Sequence, residues 1–327
     1  MNKIKWLLAS TLFAGGLSLH AETDSSKEHS KISEYGRYIA QADVDGLVDS
    51  LVVDATQEGV GVSKSYLERY FKTVELSFTT AGSLNSSVKP NFEILVVAPL
   101  SDEEDIFNTY FTQLSAAYSD NRTTLNLGLG YRRLSENKYI LMGVNAFFDQ
   151  EIQYAHSRAS LGAEYRTTVG EMNANYYKAT TGWQNGKDNF LEQALDGYDF
   201  EAGVPLPYMN WATLFVKHSR WDSVIDGSKD LSVNEVQLRA QIPVLSGLEV
   251  EAGRRYNSGA ASNNENYISV SYNLIAALAN KPKKNVWISD YAYKLASMED
   301  RRYEKVRREN RIIKQKKKTG SITVIGY

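Results

Sequence analysis

An all-β fold, a twelve-stranded antiparallel barrel set in a membrane, is what this sequence predicts, and three observations predict it. Between Thr73 and Leu274 the chain divides into twelve short segments that alternate apolar and polar residues. Successive strand side chains point to opposite faces, so each segment has one greasy face and one face rich in glycine and charge. A soluble sandwich would share that period but bury the greasy face, whereas a membrane barrel turns it to lipid around a wet lumen. The connections decide between them. Arg133–Lys138, Thr167–Gly170, Pro205–Asn210 and Pro243–Gly247 are tight, while Asp149–Ser157, Thr181–Leu195, Trp221–Leu231 and Asn257–Glu265 are longer and polar. Short turns at one end and long loops at the other belong to outer-membrane barrels, the short turns being periplasmic. The 21 Tyr and 5 Trp suit the aromatic girdles of such barrels.

The N-terminus sets the compartment. Lys3 and Lys5 precede an apolar stretch, Trp6–Leu19, and Leu19-His20-Ala21 supplies a small residue for cleavage, the pattern of a secretory signal peptide over residues 1–21. Residues 22–70 are expected to be periplasmic. Glu22–Ser33 is polar, and Tyr38–Tyr70 carries Ile39, Val44, Leu47, Leu51 and Val52 at roughly helical spacing, broken at Gly59 and Gly61.

The barrel is expected over residues 71–275. Its segments are Thr73–Thr79, Asn91–Val97, Tyr110–Tyr118, Leu125–Arg132, Ile140–Asp149, Arg158–Arg166, Glu171–Tyr177, Asp199–Val204, Ala212–Lys217, Glu235–Ile242, Leu248–Ala252 and Ile268–Leu274. Glu235–Ile242 alternates most cleanly. Ala212–Lys217 is weaker because Phe215 falls on the polar side. After the last strand, residues 276–327 change character. Val286–Met298 reads as a short helix or an extended linker, Glu299–Lys318 is strongly charged, and Ser321–Ile325 is β-prone. The net charge of −2 conceals a basic tail, since residues 281–327 hold fourteen Lys/Arg against five Asp/Glu and leave an acidic body.

The runs Gly128-Leu129-Gly130-Tyr131-Arg132-Arg133, Leu141-Met142-Gly143-Val144-Asn145-Ala146-Phe147-Phe148-Asp149-Gln150 and Arg158-Ala159-Ser160-Leu161-Gly162-Ala163-Glu164-Tyr165 resemble the β-domain of the intimin/invasin family, the inverse autotransporters. So do Asn175-Tyr176-Tyr177 with Thr181-Gly182-Trp183, Leu195-Asp196-Gly197-Tyr198-Asp199, Val204-Pro205-Leu206-Pro207, and Val306-Arg307-Arg308-Glu309-Asn310-Arg311-Ile312-Ile313 downstream. The resemblance covers roughly Phe71–Lys318. It implies a twelve-stranded barrel whose C-terminal linker threads the lumen and carries a passenger to the surface, inserted with the help of periplasmic chaperones and the barrel assembly machinery. Family members continue into immunoglobulin-like domains. Here 53 residues follow Leu274, fewer than the ~100 of one such domain, so a short or missing passenger is expected.

Side chains with catalytic chemistry give little. Cysteine is absent, and no phosphate loop or zinc spacing appears, so no cofactor and no resident metal is expected. His218 and Ser219 are adjacent, which places them on opposite faces of a strand and bars them from meeting as base and nucleophile. Asp149, Glu151 and His156 share one expected loop and could hold a cation; solvated loop residues are the plainer reading. The predicted functional set is the lumen-facing charges Glu75, Glu93, Arg132, Glu164, Arg166, Glu201, Arg239, Glu249, Glu251 and Arg255. They either hold a basic segment such as Lys281–Lys294 or pair across the barrel to stiffen it. Arg301–Lys318 reads first as a solvated charge run, second as a contact for lipopolysaccharide, with no nucleic-acid partner expected. Trp183 and Phe190 mark the loop to inspect for a host ligand. Three functions remain open: a non-enzymatic translocator and anchor, a passive or plugged pore, and a ligand-binding barrel.

Overall fold

The computed structural model describes residues 70–81, 91–259, 263–279 and 287–318, and the backbone of 321–325. The signal peptide and the expected helical segment before Tyr70 lie outside these residues. Twelve antiparallel strands close into a barrel: β1 (Thr73–Ala81), β2 (Asn91–Pro99), β3 (Asn108–Ser119), β4 (Arg122–Leu134), β5 (Leu141–Glu151), β6 (Ser157–Thr167), β7 (Gly170–Ala179), β10 (Gly197–Leu206), β11 (Met209–Trp221), β12 (Leu231–Gln241), β13 (Leu248–Gly259) and β14 (Glu265–Asn273), with β14 returning to pair with β1. Each predicted segment falls on one of these strands, with Ile140, Ile242 and Leu274 each lying one residue outside. Four further strands, β8 (Gln184–Asn185), β9 (Leu191–Ala194), β15 (Lys314–Lys318) and β16 (Ser321–Ile325), form a separate small sheet in the order β16-β15-β9-β8.

The faces are inverted relative to a soluble protein. Leu129, Val144, Leu161, Met172, Tyr176, Val216 and Val236 are exposed on the outer wall, while Arg132, Asp149, Arg158, Arg166 and Asp199 are almost fully buried inside. Among the described residues no helix is long and apolar enough to cross a membrane, so the strands carry the apolar band. Burial of so much charge needs an interior partner, because an unpaired buried ion is expensive.

The β3–β4 connection departs furthest from the expected parity of loop lengths. β3 and β4 join at the long-loop end through only Asp120 and Asn121, with φ of 51° and 60°. Two successive left-handed residues make a type I′ turn, and Asp and Asn tolerate that conformation best after glycine. Turn chemistry overrode the trend there.

Candidate functional site: the lumen and its linker

The buried charge of the wall meets the segment 298–313, which runs through the lumen. The segment is held at the periplasmic rim first. Ser289 N donates to Tyr208 O (2.7 Å), Trp211 Nε1 to Trp287 O (2.8 Å) and Thr168 Oγ1 to Lys294 O (2.7 Å). Met298 N then donates to Lys138 O at 2.8 Å, still on a short turn. Fifteen residues later Leu195 N donates to Ile313 O at 2.9 Å, at the opposite end of the barrel. An extended chain of that length reaches at most ~50 Å, ample for the ~25 Å apolar band.

Inside, the linker's peptide groups have no strand ladder to join, so lumen side chains satisfy them. Arg132 Nη1 donates to the carbonyls of Arg302 (2.8 Å) and Glu304 (2.6 Å). Arg166 Nη2 reaches Lys305 O (3.0 Å), Asn175 Nδ2 reaches Arg307 O (2.9 Å), and Arg158 Nη2 reaches Glu309 O (2.7 Å). Gln113 Oε1 accepts from Val306 N, and the Tyr177 hydroxyl from Glu309 N, both at 2.8 Å. The linker therefore serves as the core of the barrel.

Ion pairs fix its side chains. Asp149 receives both terminal guanidinium nitrogens of Arg308 (2.7 and 2.9 Å) and Arg158 Nε (2.9 Å), all three side chains being fully buried. Lys305 Nζ lies 2.5 Å from Glu75 and 3.9 Å from Glu249, Arg307 pairs with Glu201 and lies 3.7 Å from Glu251, and Asn310 donates to Glu93 at 2.5 Å.

Of the ten wall charges read from the sequence, Glu75, Glu93, Arg132, Arg166, Glu201, Glu249 and Glu251 thus meet the linker. The other three pair within the wall. Glu164 holds Arg132 and Arg166, Arg239 lies among Glu171, Glu249 and Glu251, and Arg255 pairs with Glu235 and Glu265. The expected occupant needs correction as well. Residues 287–294 of the proposed basic segment lie on the rim, while Arg302–Ile313, taken from sequence as part of a solvated run, fills the lumen. The reason is partner geometry, since only the later stretch offers Lys305, Arg307 and Arg308 at spacings that reach wall carboxylates.

A second pattern escaped the sequence reading. Five lumen aromatics each sit directly across from a glycine on the neighbouring strand: Phe111 on Gly130, Phe147 on Gly128, Phe215 on Gly203, Trp221 on Gly197 and Tyr267 on Gly253. The ring fills the space a side chain would take at the glycine, and an arginine stands over the ring. Arg132 stacks on Phe111 at 4.4 Å, Arg308 on Phe147 at 4.2 Å and Arg239 on Phe215 at 4.1 Å. Cation–π attraction strengthens where water is excluded. This explains why Phe215 breaks the alternation of its strand. A Cβ on Gly128 would stand 2.2 Å from the Phe147 ring. Gly128→Ala is therefore expected to destabilise the barrel by about 1–3 kcal/mol, seen as a lower unfolding temperature on gels, with Gly182→Ala, in open space, as the unaffected control.

At the outer mouth the tail is caught by the long loop. β15 pairs antiparallel with β9, setting Lys314 opposite Ala194 and Lys316 opposite Glu192. Beneath it Arg122 bridges Glu192 (2.8 and 2.9 Å) and Glu151 (2.9 Å), Lys314 pairs with Glu151, and Lys316 lies 3.3 Å from Glu192. Glu151, His156 and Glu192 converge closely enough to hold a metal ion, but Arg122 and the two lysines already neutralise those carboxylates. Asp149 does not belong with this set as expected; it faces the lumen. Trp183 lies half-buried under Lys317 Nζ at 4.1 Å, so it braces the tail, and Phe190 closes the turn before β9 through a backbone bond to Lys187 O at 3.2 Å. His218 hydrogen-bonds Asn234 at 2.9 Å on the opposite face of β11 from the buried Ser219.

Burial would raise the Glu192 carboxyl, but His156 at 3.5 Å, the hydrogen bonds from Arg122 and the charges of Arg122 and Lys316 outweigh it and hold it well below the usual range. A depressed folded value means the latch is at full strength above the ordinary carboxylate pKa of about 4.3 and is lost as pH falls toward the folded value. A spin label at Lys317→Cys should be immobilised at neutral pH and gain a mobile fraction below roughly pH 4. Glu192→Gln should show that fraction at neutral pH; equal mobility of the two proteins would refute the latch.

The family model "Inverse autotransporter, beta-domain" matches residues 20–310. The chain belongs to the inverse autotransporter family. This inverse autotransporter is 26% identical to "Intimin" of Escherichia coli O127:H6 over 256 residues, 76% of its own length and 26% of that protein's. It is 26% identical to "Invasin" of Yersinia enterocolitica over 194 residues, 58% and 22% of the two lengths. The chain spans about a quarter to a third of the length of the first of its curated relatives. A membrane-protein chain solved in the work "Unveiling the Mechanism Behind the in-meso Crystallization of Membrane Proteins" shares its fold with a TM-score of 0.58 at 21% identity, covering 75% of this chain and all of the other. The inverse autotransporter barrel sits in the outer membrane of a Gram-negative bacterium, with lipid around its apolar band.

Proposed function

We propose that this barrel anchors and translocates its own C-terminal segment to the cell surface, without catalysing a reaction. The observation that carries the reading is the order of linker contacts, from the periplasmic turns at Tyr208, Thr168 and Lys138 to the outer loop at Leu195. A chain anchored at both ends of the lumen is what export through the barrel would leave in place. The β9–β15 pairing then stops it from sliding back. Periplasmic chaperones and the barrel assembly machinery would deliver and insert the barrel, and a host or surface ligand would be met only by what emerges beyond residue 318.

An epitope tag placed after Tyr327 tests this directly. On intact cells the tag should bind antibody and be removed by added protease. A tag reached only after the outer membrane is breached would end the export reading and favour a plugged or structural barrel.

A further inference from the structure

The linker does not fill the lumen evenly. Its backbone is bound mainly by side chains of β3, β4, β6 and β7, whereas on the other side Glu249 and Glu251 of β13 meet its side chains Lys305 and Arg307. On that side a cavity of about 210 Å³ extends to Thr79, Asn91 and Tyr118 near the outer end. A second, of about 440 Å³, opens at the periplasmic end around Leu245, Ser246 and Asn273. Both are lined by Glu75, Glu249, Lys305 and Arg307, which form the junction between them where Lys305 crosses from the linker to the wall.

The outer cavity is acidic. Eight carboxylates line it against six basic side chains. Glu93, one of the eight, is hydrogen-bonded by the neutral Asn310 and has no ion-pair partner within 4 Å among the described residues. A polar space of this size holds on the order of ten waters. Excess negative charge along a narrow wet path concentrates cations and repels anions.

We propose that this crevice conducts small monovalent cations across the outer membrane beside the seated linker, throttled by Lys305. The ammonium group narrows the junction and places a positive charge in the path, 2.5 Å from Glu75 and 3.9 Å from Glu249. Removing it widens the junction and deepens its negative potential together. Glu249 and Glu251 stand beside the junction and set the selectivity. The proposal is independent of export, because the current is read from purified protein and tail display from cells, so either can fail alone.

The full chain, reconstituted in planar bilayers under a potassium chloride gradient, should carry a small current whose reversal potential lies on the potassium side. Lys305→Ala should raise the conductance at least roughly threefold without changing that sign. The pair Glu249→Gln and Glu251→Gln should move the reversal potential toward zero. Each preparation is first shown to be folded by its heat-dependent gel mobility. Silence from both the wild type and Lys305→Ala, or an anion-selective wild type, would overturn the proposal.

Discussion

Asp149→Asn should be the most damaging single substitution in this protein, costing roughly 3–5 kcal/mol, because it leaves buried charge without its partner. Two guanidinium groups converge on this carboxylate, Arg158 from the wall and Arg308 from the linker, and all three side chains are fully buried. Asparagine keeps the volume and one acceptor oxygen but removes the charge on which the two cations converge. Arg308 also rests on the Phe147 ring, which rests on Gly128, so its displacement propagates into the wall. Urea unfolding in detergent, followed by gel mobility, reads the loss. A double-mutant cycle sharpens it. In an Arg308→Gln background the same Asp149→Asn change should cost less by about 1–3 kcal/mol, since one of the stranded cations is already gone. A loss under 1 kcal/mol in the wild-type background would mean that water reaches the triad and screens it.

The barrel was legible because its rule is local. The barrel strands announce themselves by period two, Ala212–Lys217 least clearly, and Gly128, Gly143, Gly162 and Gly203 on the polar faces already signal a crowded interior. Most wall charges that meet the linker could be read in the same way, since a strand's polar face is its lumen face. What could not be read is which distant residue answers each charge. Arg308 and Asp149 are 159 positions apart, and nothing in either local sequence encodes the pairing. Arg301–Lys318 looked solvated for this reason, as charge density marks a surface unless a matching interior is known. The glycine–aromatic–arginine stacks were hidden one level up. Each needs strand register, which places Phe215 across from Gly203 and lets a residue that spoils the alternation complete a stack. The β3–β4 turn shows the opposite case, in which Asp120-Asn121 carried a local signal that outweighed the global trend in loop length.

Deletion of residues 298–318 should convert the barrel into an open pore, with single-channel conductance rising by at least roughly tenfold, the step from a side crevice to the lumen of a twelve-stranded barrel. The same deletion removes the linker carbonyls that Arg132, Arg158 and Arg166 donate to and the cations opposite Glu75 and Glu201. Water entering the emptied lumen would solvate those groups, so the wall should still close, but with a lower unfolding temperature than the full chain. The two readouts separate the linker's roles. A large conductance with little loss of stability would make the linker a removable plug. A large conductance with a marked loss makes it the barrel's core, as expected from the peptide groups that wall arginines, Asn175 and Gln113 satisfy. Unchanged conductance would show that the wall collapses onto the vacated space, and would remove the basis for treating the linker as what fills the lumen.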